Sequence, residues 1–173
     1  MSEHRLIERV IKMLNSEFHR ISETNNINSD FIDSVTDFFR TYSAWCHEGK
    51  ETNILFRDLS KKKLSIEHRK IMEELAAEHI RMWTTVNSLA KAKESYTEGN
   101  LGSLVEIIKT MKELTTIYPK HIEKEENLFY YPTMDYFTPQ ELDIMLKEFW
   151  ELDRRLIHEK YQQVVDLLEK ANK

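Results

Sequence analysis

The chain has one cysteine, Cys46, three glycines and three prolines in 173 residues. A lone cysteine excludes an intramolecular disulfide and fits a reducing compartment, so a cytoplasmic location is expected. So few chain breakers leave room for long, uninterrupted helices. No segment supplies the ~18 unbroken apolar residues of a membrane span. The charged N-terminus lacks the apolar core of a signal peptide. Basic residues are outnumbered by acidic ones, 25 to 30, for a net charge of −5, and Lys61-Lys62-Lys63 is the only basic run. That balance argues against a nucleic-acid partner. With 32% charged and 40% hydrophobic residues, the sequence reads as a helical protein outside the membrane. Its length suits one domain, 1–173, with a sizeable core.

Apolar periodicity and breakers predict five helices, at about 3–23, 30–58, 65–95, 101–130 and 138–170. In the first, Leu6, Ile7, Val10, Met13, Leu14 and Phe18 recur at helical spacing. The polar stretch 25–30 is a loop in which Ser29 or Asp30 is placed to cap the second helix. Ser65 stands before the third helix and Gly99-Asn100 before the fourth. Thr138-Pro139 is a cap followed by proline at the first helical position. Pro119 falls inside the fourth helix and should kink it by removing a backbone donor. Wide apolar stripes and short loops imply an all-α fold: an up-and-down antiparallel four-helix bundle with an additional C-terminal helix.

One phrase is written twice. Residues 47–53 read H-E-G-K-E-T-N and residues 121–127 read H-I-E-K-E-E-N. His, Lys, Glu and Asn keep one register, and a bulky apolar pair follows each copy. Residues i and i+4 share a helix face. His47 with Glu51, and His121 with Glu125, therefore present an imidazole beside a carboxylate. Non-haem iron, manganese and zinc favour such donors. Two such helices facing each other would form the halves of a dinuclear site. The order is not H-E-x-x-H, which excludes the zinc-protease reading.

Helix rise sorts the other five histidines. Tracing back along an antiparallel first helix from the loop reaches His4 at the level of His47. His19 stays near the loop, about 22 Å away at 1.5 Å per residue, and is expected at the surface. A similar depth into the third helix reaches His79 rather than His68. A single H-x-x-x-E is usually a surface ion pair. Two in one register, with His4 and His79 level, would bury many polar groups at a cost that calls for a compensating partner. Cys46 precedes His47 by one residue and points about 100° away around the helix. It is expected as a small buried residue rather than a ligand.

These residues resemble the hemerythrin-like, or HHE cation-binding, family over nearly the whole chain. E-H-R-L-I-E-R-V at 3–10 is similar to its opening helix, C-H-E-G-K-E-T-N-I-L-F at 46–56 to its second motif, A-E-H at 77–79 to its third and H-I-E-K-E-E-N-L-F at 121–129 to its fourth. The resemblance implies two non-haem irons, with Glu51 and Glu125 bridging and His4, His47, His79 and His121 as terminal ligands. Oxygen-carrying members have a second histidine four residues along the third helix; Trp83 stands at that position here. His158, in L-I-H-E-K-Y, is the candidate fifth histidine, although a straight final helix leaves it about 15 Å beyond the site level. Glu48 and Glu78 adjoin ligands and are placed for an outer shell.

The small ligand implied is dioxygen, nitric oxide or peroxide, bound, sensed or handled together with iron. The same architecture admits a diiron enzyme that reduces peroxide or repairs iron–sulfur clusters. Cluster-repair relatives carry a further Cys-containing N-terminal segment, which weakens that reading. A helical interaction module with a structural metal is the third alternative. Ligand type alone leaves zinc and manganese open. A homodimer or a separate protein partner also stays open.

Overall fold

The computed structural model describes the backbone of residues 2–171 and the side chains of residues 3–155 and of Lys160. It contains five helices: α1 (Ser2–Thr24), α2 (29–59), α3 (Ile66–Thr97), α4 (104–134, entered through a 3₁₀ turn at Leu101–Ser103) and α5 (Pro139–Ala171). No strand occurs among the described residues. No helix among them is long and apolar enough to cross a membrane.

Ion pairs and hydrogen bonds between helices fix the antiparallel order. Asp33, Arg40 and Thr52 on α2 meet Lys93, Asn87 and His79 on α3, so one sequence runs up as the other runs down. Glu74, Glu78 and Arg81 on α3 likewise meet Lys124, His121 and Glu113 on α4. The start of α1 reaches the far end of α4 through His4 and Glu126. α5 packs against the middle of α2. The expected up-and-down bundle with a fifth helix is therefore the architecture found.

The apolar stripes build two separate clusters. Leu14, Ile21, Leu89, Met111 and Leu114 centre one of them. Leu59, Leu75, Phe129 and Met145 centre the other. Each fully buried Leu, Ile or Met contributes about 1.5–3 kcal/mol relative to exposure. On α2, α3 and α4 the buried histidines and glutamates fall along the helix where the stretches that form these two apolar blocks meet.

Helix starts follow local hydrogen bonding. Asn28, rather than Ser29 or Asp30, caps α2: its side chain accepts the Phe31 amide at 3.1 Å. An Asn oxygen one residue earlier reaches the orphan amide of the first turn equally well. Ser65 caps α3 by accepting the His68 amide. At α5, the Glu141 amide donates to the Thr138 hydroxyl while the Glu141 carboxylate accepts the Thr138 amide, a reciprocal cap. Pro119 lies inside α4 as the sequence suggests. The fourth helix runs to 134, four residues beyond the expected end.

Candidate metal centre

Neither α2 nor α4 is a plain α-helix where the repeated phrase falls. π-helical turns occupy Phe39–His47 and Glu51–Phe56 in α2, and Glu125–Phe129 in α4. Such turns often mark functional sites. In a regular helix the residue five places on lies about 140° around the axis. The wider π turn brings it back to the inner face. Phe56, five after Glu51, stacks on His79 with ring centres 5.8 Å apart and planes 3° from parallel. Tyr130, five after Glu125, stacks on His4, also at 5.8 Å. The two copies thus place an aromatic lid over matching imidazoles, one bare and one bearing a hydroxyl.

Six buried side chains converge between the apolar clusters: His4 from α1, His47 and Glu51 from α2, His79 from α3, and His121 and Glu125 from α4. The imidazoles meet in pairs through Nε2. His4 and His47 are 3.0 Å apart, and His79 and His121 are 3.2 Å apart. Glu125 lies between the pairs. Its Oε2 is 3.2 Å from His4 Nε2, and its Oε1 is 2.8 Å from His121 Nε2. Glu51 Oε2 stands 3.2 Å from His79 Nε2, while its Oε1 accepts the Tyr130 hydroxyl. Two donor groups result, Glu51-His79-His121-Glu125 and His4-His47-Glu125, each with its donor atoms within 4.8 Å of one another.

This donor set fits a cation. Glu51 Oε2 and both Glu125 oxygens are buried without a hydrogen-bond partner. An unsatisfied buried charged group is costly. Two imidazole nitrogens facing each other can form at most one hydrogen bond with one another. Positive charge placed among them satisfies the nitrogens and the carboxylates together. With protons alone, the histidines supply that charge. Burial would lower His79, but the Glu125 and Glu51 carboxylates outweigh it and raise its pKa to about 10. His121 is raised to about 9, with Glu125 and Glu78 outweighing burial. Burial would raise the Glu125 carboxyl, yet His121, His4 and His79 hold it well below the usual range.

The outward nitrogens are held as well. His4 Nδ1 meets Glu126 at 2.9 Å, His47 Nδ1 meets Glu3 at 3.0 Å and His121 Nδ1 meets Glu78 at 2.8 Å. His79 Nδ1 meets the Thr52 hydroxyl at 3.2 Å. Carboxylates on the second nitrogen fix the tautomer and make an imidazole a stronger donor. Each carboxylate is anchored by a cation: Glu3 by Lys50, Glu78 by Lys124 and Glu126 by Arg5. Lys50 and Lys124 are the repeated lysines of the two phrases. The repeat therefore encodes a layered arrangement, lysine to carboxylate to histidine, built twice.

The sequence-selected His4, His47, Glu51, His79, His121 and Glu125 all meet in this cage, and His19 is exposed. His68 is at the surface end of α3, 2.9 Å from the Tyr136 hydroxyl. The side chain of His158 lies outside the described residues. Glu78 serves His121 as expected, whereas buried Glu48 accepts the Ser43 hydroxyl at 2.9 Å. Cys46 is half-buried rather than buried. Its thiol donates to Asp153 at 3.1 Å, and burial first, then Asp153, pushes it up to about 12. Sequence reasoning did not select Glu3, Glu126 or Thr52. All three adjoin a selected residue in sequence: Glu3 beside His4, Thr52 beside Glu51 and Glu126 beside Glu125.

The family model for the hemerythrin HHE cation binding domain matches residues 1–131. No curated protein and no solved structure matches the chain.

Proposed function

The chain belongs to the hemerythrin HHE cation-binding family, and from this we propose that the cage holds two non-haem irons and binds or senses a small oxidant. Dioxygen, nitric oxide and peroxide are the ligand classes. One iron would be held by His79, His121, Glu51 and Glu125, and the other by His4, His47 and Glu125. The observation that carries this reading is the position of Glu125, whose two oxygens face different imidazole pairs. A single-ion site has no use for that division.

Bound iron supplies reversible electron transfer and open positions for a diatomic. The protein's own residues do the rest. The Nε2 atoms point inward because the Nδ1 atoms are held from outside. Phe56 and Tyr130 cover the imidazoles and limit water. The Tyr130 hydroxyl holds a proton at the edge of the cage, on Glu51. Mixed imidazole and carboxylate donors serve both ferrous and ferric iron, and they also suit manganese and zinc.

Elemental analysis of protein purified without added metal, counted per chain, tests the reading. Two irons per chain, with spectra that change reversibly on exposure to dioxygen or nitric oxide, are expected. One zinc, or no metal after anaerobic ferrous reconstitution, would reject it in favour of a structural-metal module.

A further inference from the structure

The cage borders a chamber of about 560 Å³. His47, Glu51 and Tyr130 form its inner end, and Leu55, Met145 and Phe149 line the body. Leu55 and Met145 are themselves buried. The charged groups at its rim are already paired: Lys50 with Glu3 and Asp153, and Arg5 with Glu8 and Glu126. What remains free to contact a guest is mostly apolar wall, with the cage at one end.

That volume is out of proportion to a diatomic. A water-sized guest occupies roughly 30 Å³ of liquid. Cavities of ~300–1,000 Å³ are typical of sites that enclose organic ligands. The family match ends at residue 131, yet Met134, Met145 and Phe149 supply much of the apolar wall. Part of the chamber's apolar wall therefore comes from a stretch of this chain outside the matched domain. On the opposite side of the cage, the pocket between Trp45, Trp83 and His79 is about 270 Å³, roughly half the size.

We propose that this chamber binds a compact amphipathic organic molecule, an apolar body with one anionic oxygen head. The body lies against Leu55, Met145 and Phe149, and the head points to the His47–Glu51–Tyr130 end. Orientation of the head rests on the diiron reading above, because the cation charge there is what attracts an anion. Retention of the body does not, because it depends on the apolar wall alone.

Octanoate and acetate are suitable probes, with one head and two bodies. Calorimetry on the iron-loaded protein is expected to show octanoate binding at least tenfold more tightly than acetate. Met145→Trp fills the chamber and should reduce octanoate affinity tenfold or more, leaving acetate affinity and metal content unchanged. Met134→Trp, at a half-buried wall position, gives the same outcome if the first variant does not fold. Equal affinities for the two acids, or octanoate binding that survives both tryptophans, would overturn the proposal. Repeating the titration on metal-free protein separates the two readings. A chain that takes up no iron sinks the diiron centre, while the octanoate preference and its loss in the tryptophan variants still decide the chamber.

Discussion

His4 and His47 direct their Nε2 atoms at each other across 3.0 Å, while their Nδ1 atoms are held by Glu126 and Glu3. Two side chains 43 positions apart, on the consecutive helices α1 and α2, are thus oriented to offer nitrogen to a common point. His79 and His121 repeat the arrangement, and Glu125 joins the two.

Because Glu125 serves both imidazole pairs, Glu125→Ala is expected to lower metal content at both positions. His47→Ala should empty mainly its own half. His19→Ala and His68→Ala should leave the metal count unchanged. Metal analysis per chain on the four variants checks this; full occupancy in Glu125→Ala would contradict the shared role.

Metal uptake should be pH-dependent with a definite sign. His79 and His121 have folded pKa values of about 10 and about 9, above the ordinary 6.5. Their protonated forms stabilise the metal-free fold fully below pH 6.5, and that contribution is lost as pH rises through 9 to 10. Metal must displace the same protons. Thermal unfolding of metal-free protein should therefore move to lower temperature between pH 7 and 10, apart from other titrations, while metal affinity rises across that range. Calorimetry in buffers of different ionisation enthalpy should register proton release at pH 7.

Lys50→Met and Lys124→Met each release the carboxylate that orients one imidazole. Loss of such outer support typically weakens metal binding about 10–100-fold. Each variant should show one fast and one slow metal on chelator challenge, where the parent shows two slow ones. Lys109→Met, at an exposed position paired with Glu106, is the control. Uniform slow release in both variants would show that the lysines give the imidazoles no support.

Asn28→Ala removes the cap of α2 at a distance from the cage. Urea unfolding should show a loss of about 1 kcal/mol with no change in metal content.

The six cage residues were legible because side chains that face one point recur at the helix period, and because helix rise fixes depth. His4 and His79 emerged from that depth alone. The π turns were not legible, since apolar spacing in α2 and α4 is read against 3.6 residues per turn whether or not one turn is wider. That is why the contact of Tyr130 with Glu51 has no signature in the sequence. The cap at Asn28 was missed by one residue because three consecutive polar side chains, Asn28, Ser29 and Asp30, are chemically equivalent as caps. The outer carboxylates were only partly visible, because what Glu3 and Glu126 touch is set by neighbouring helices. The chamber was invisible, since Leu55, Met145 and Phe149 read along the chain as ordinary core.

A single carboxylate divided between two halves makes each half the other's effector. An ion that fixes Glu125 from one side changes the affinity seen from the other, and by reciprocity the second ion returns the same factor to the first. Loading and loss would then follow a cooperative isotherm rather than two independent ones. The half left intact beside a damaged one would still hold its ion, without its neighbour's contribution.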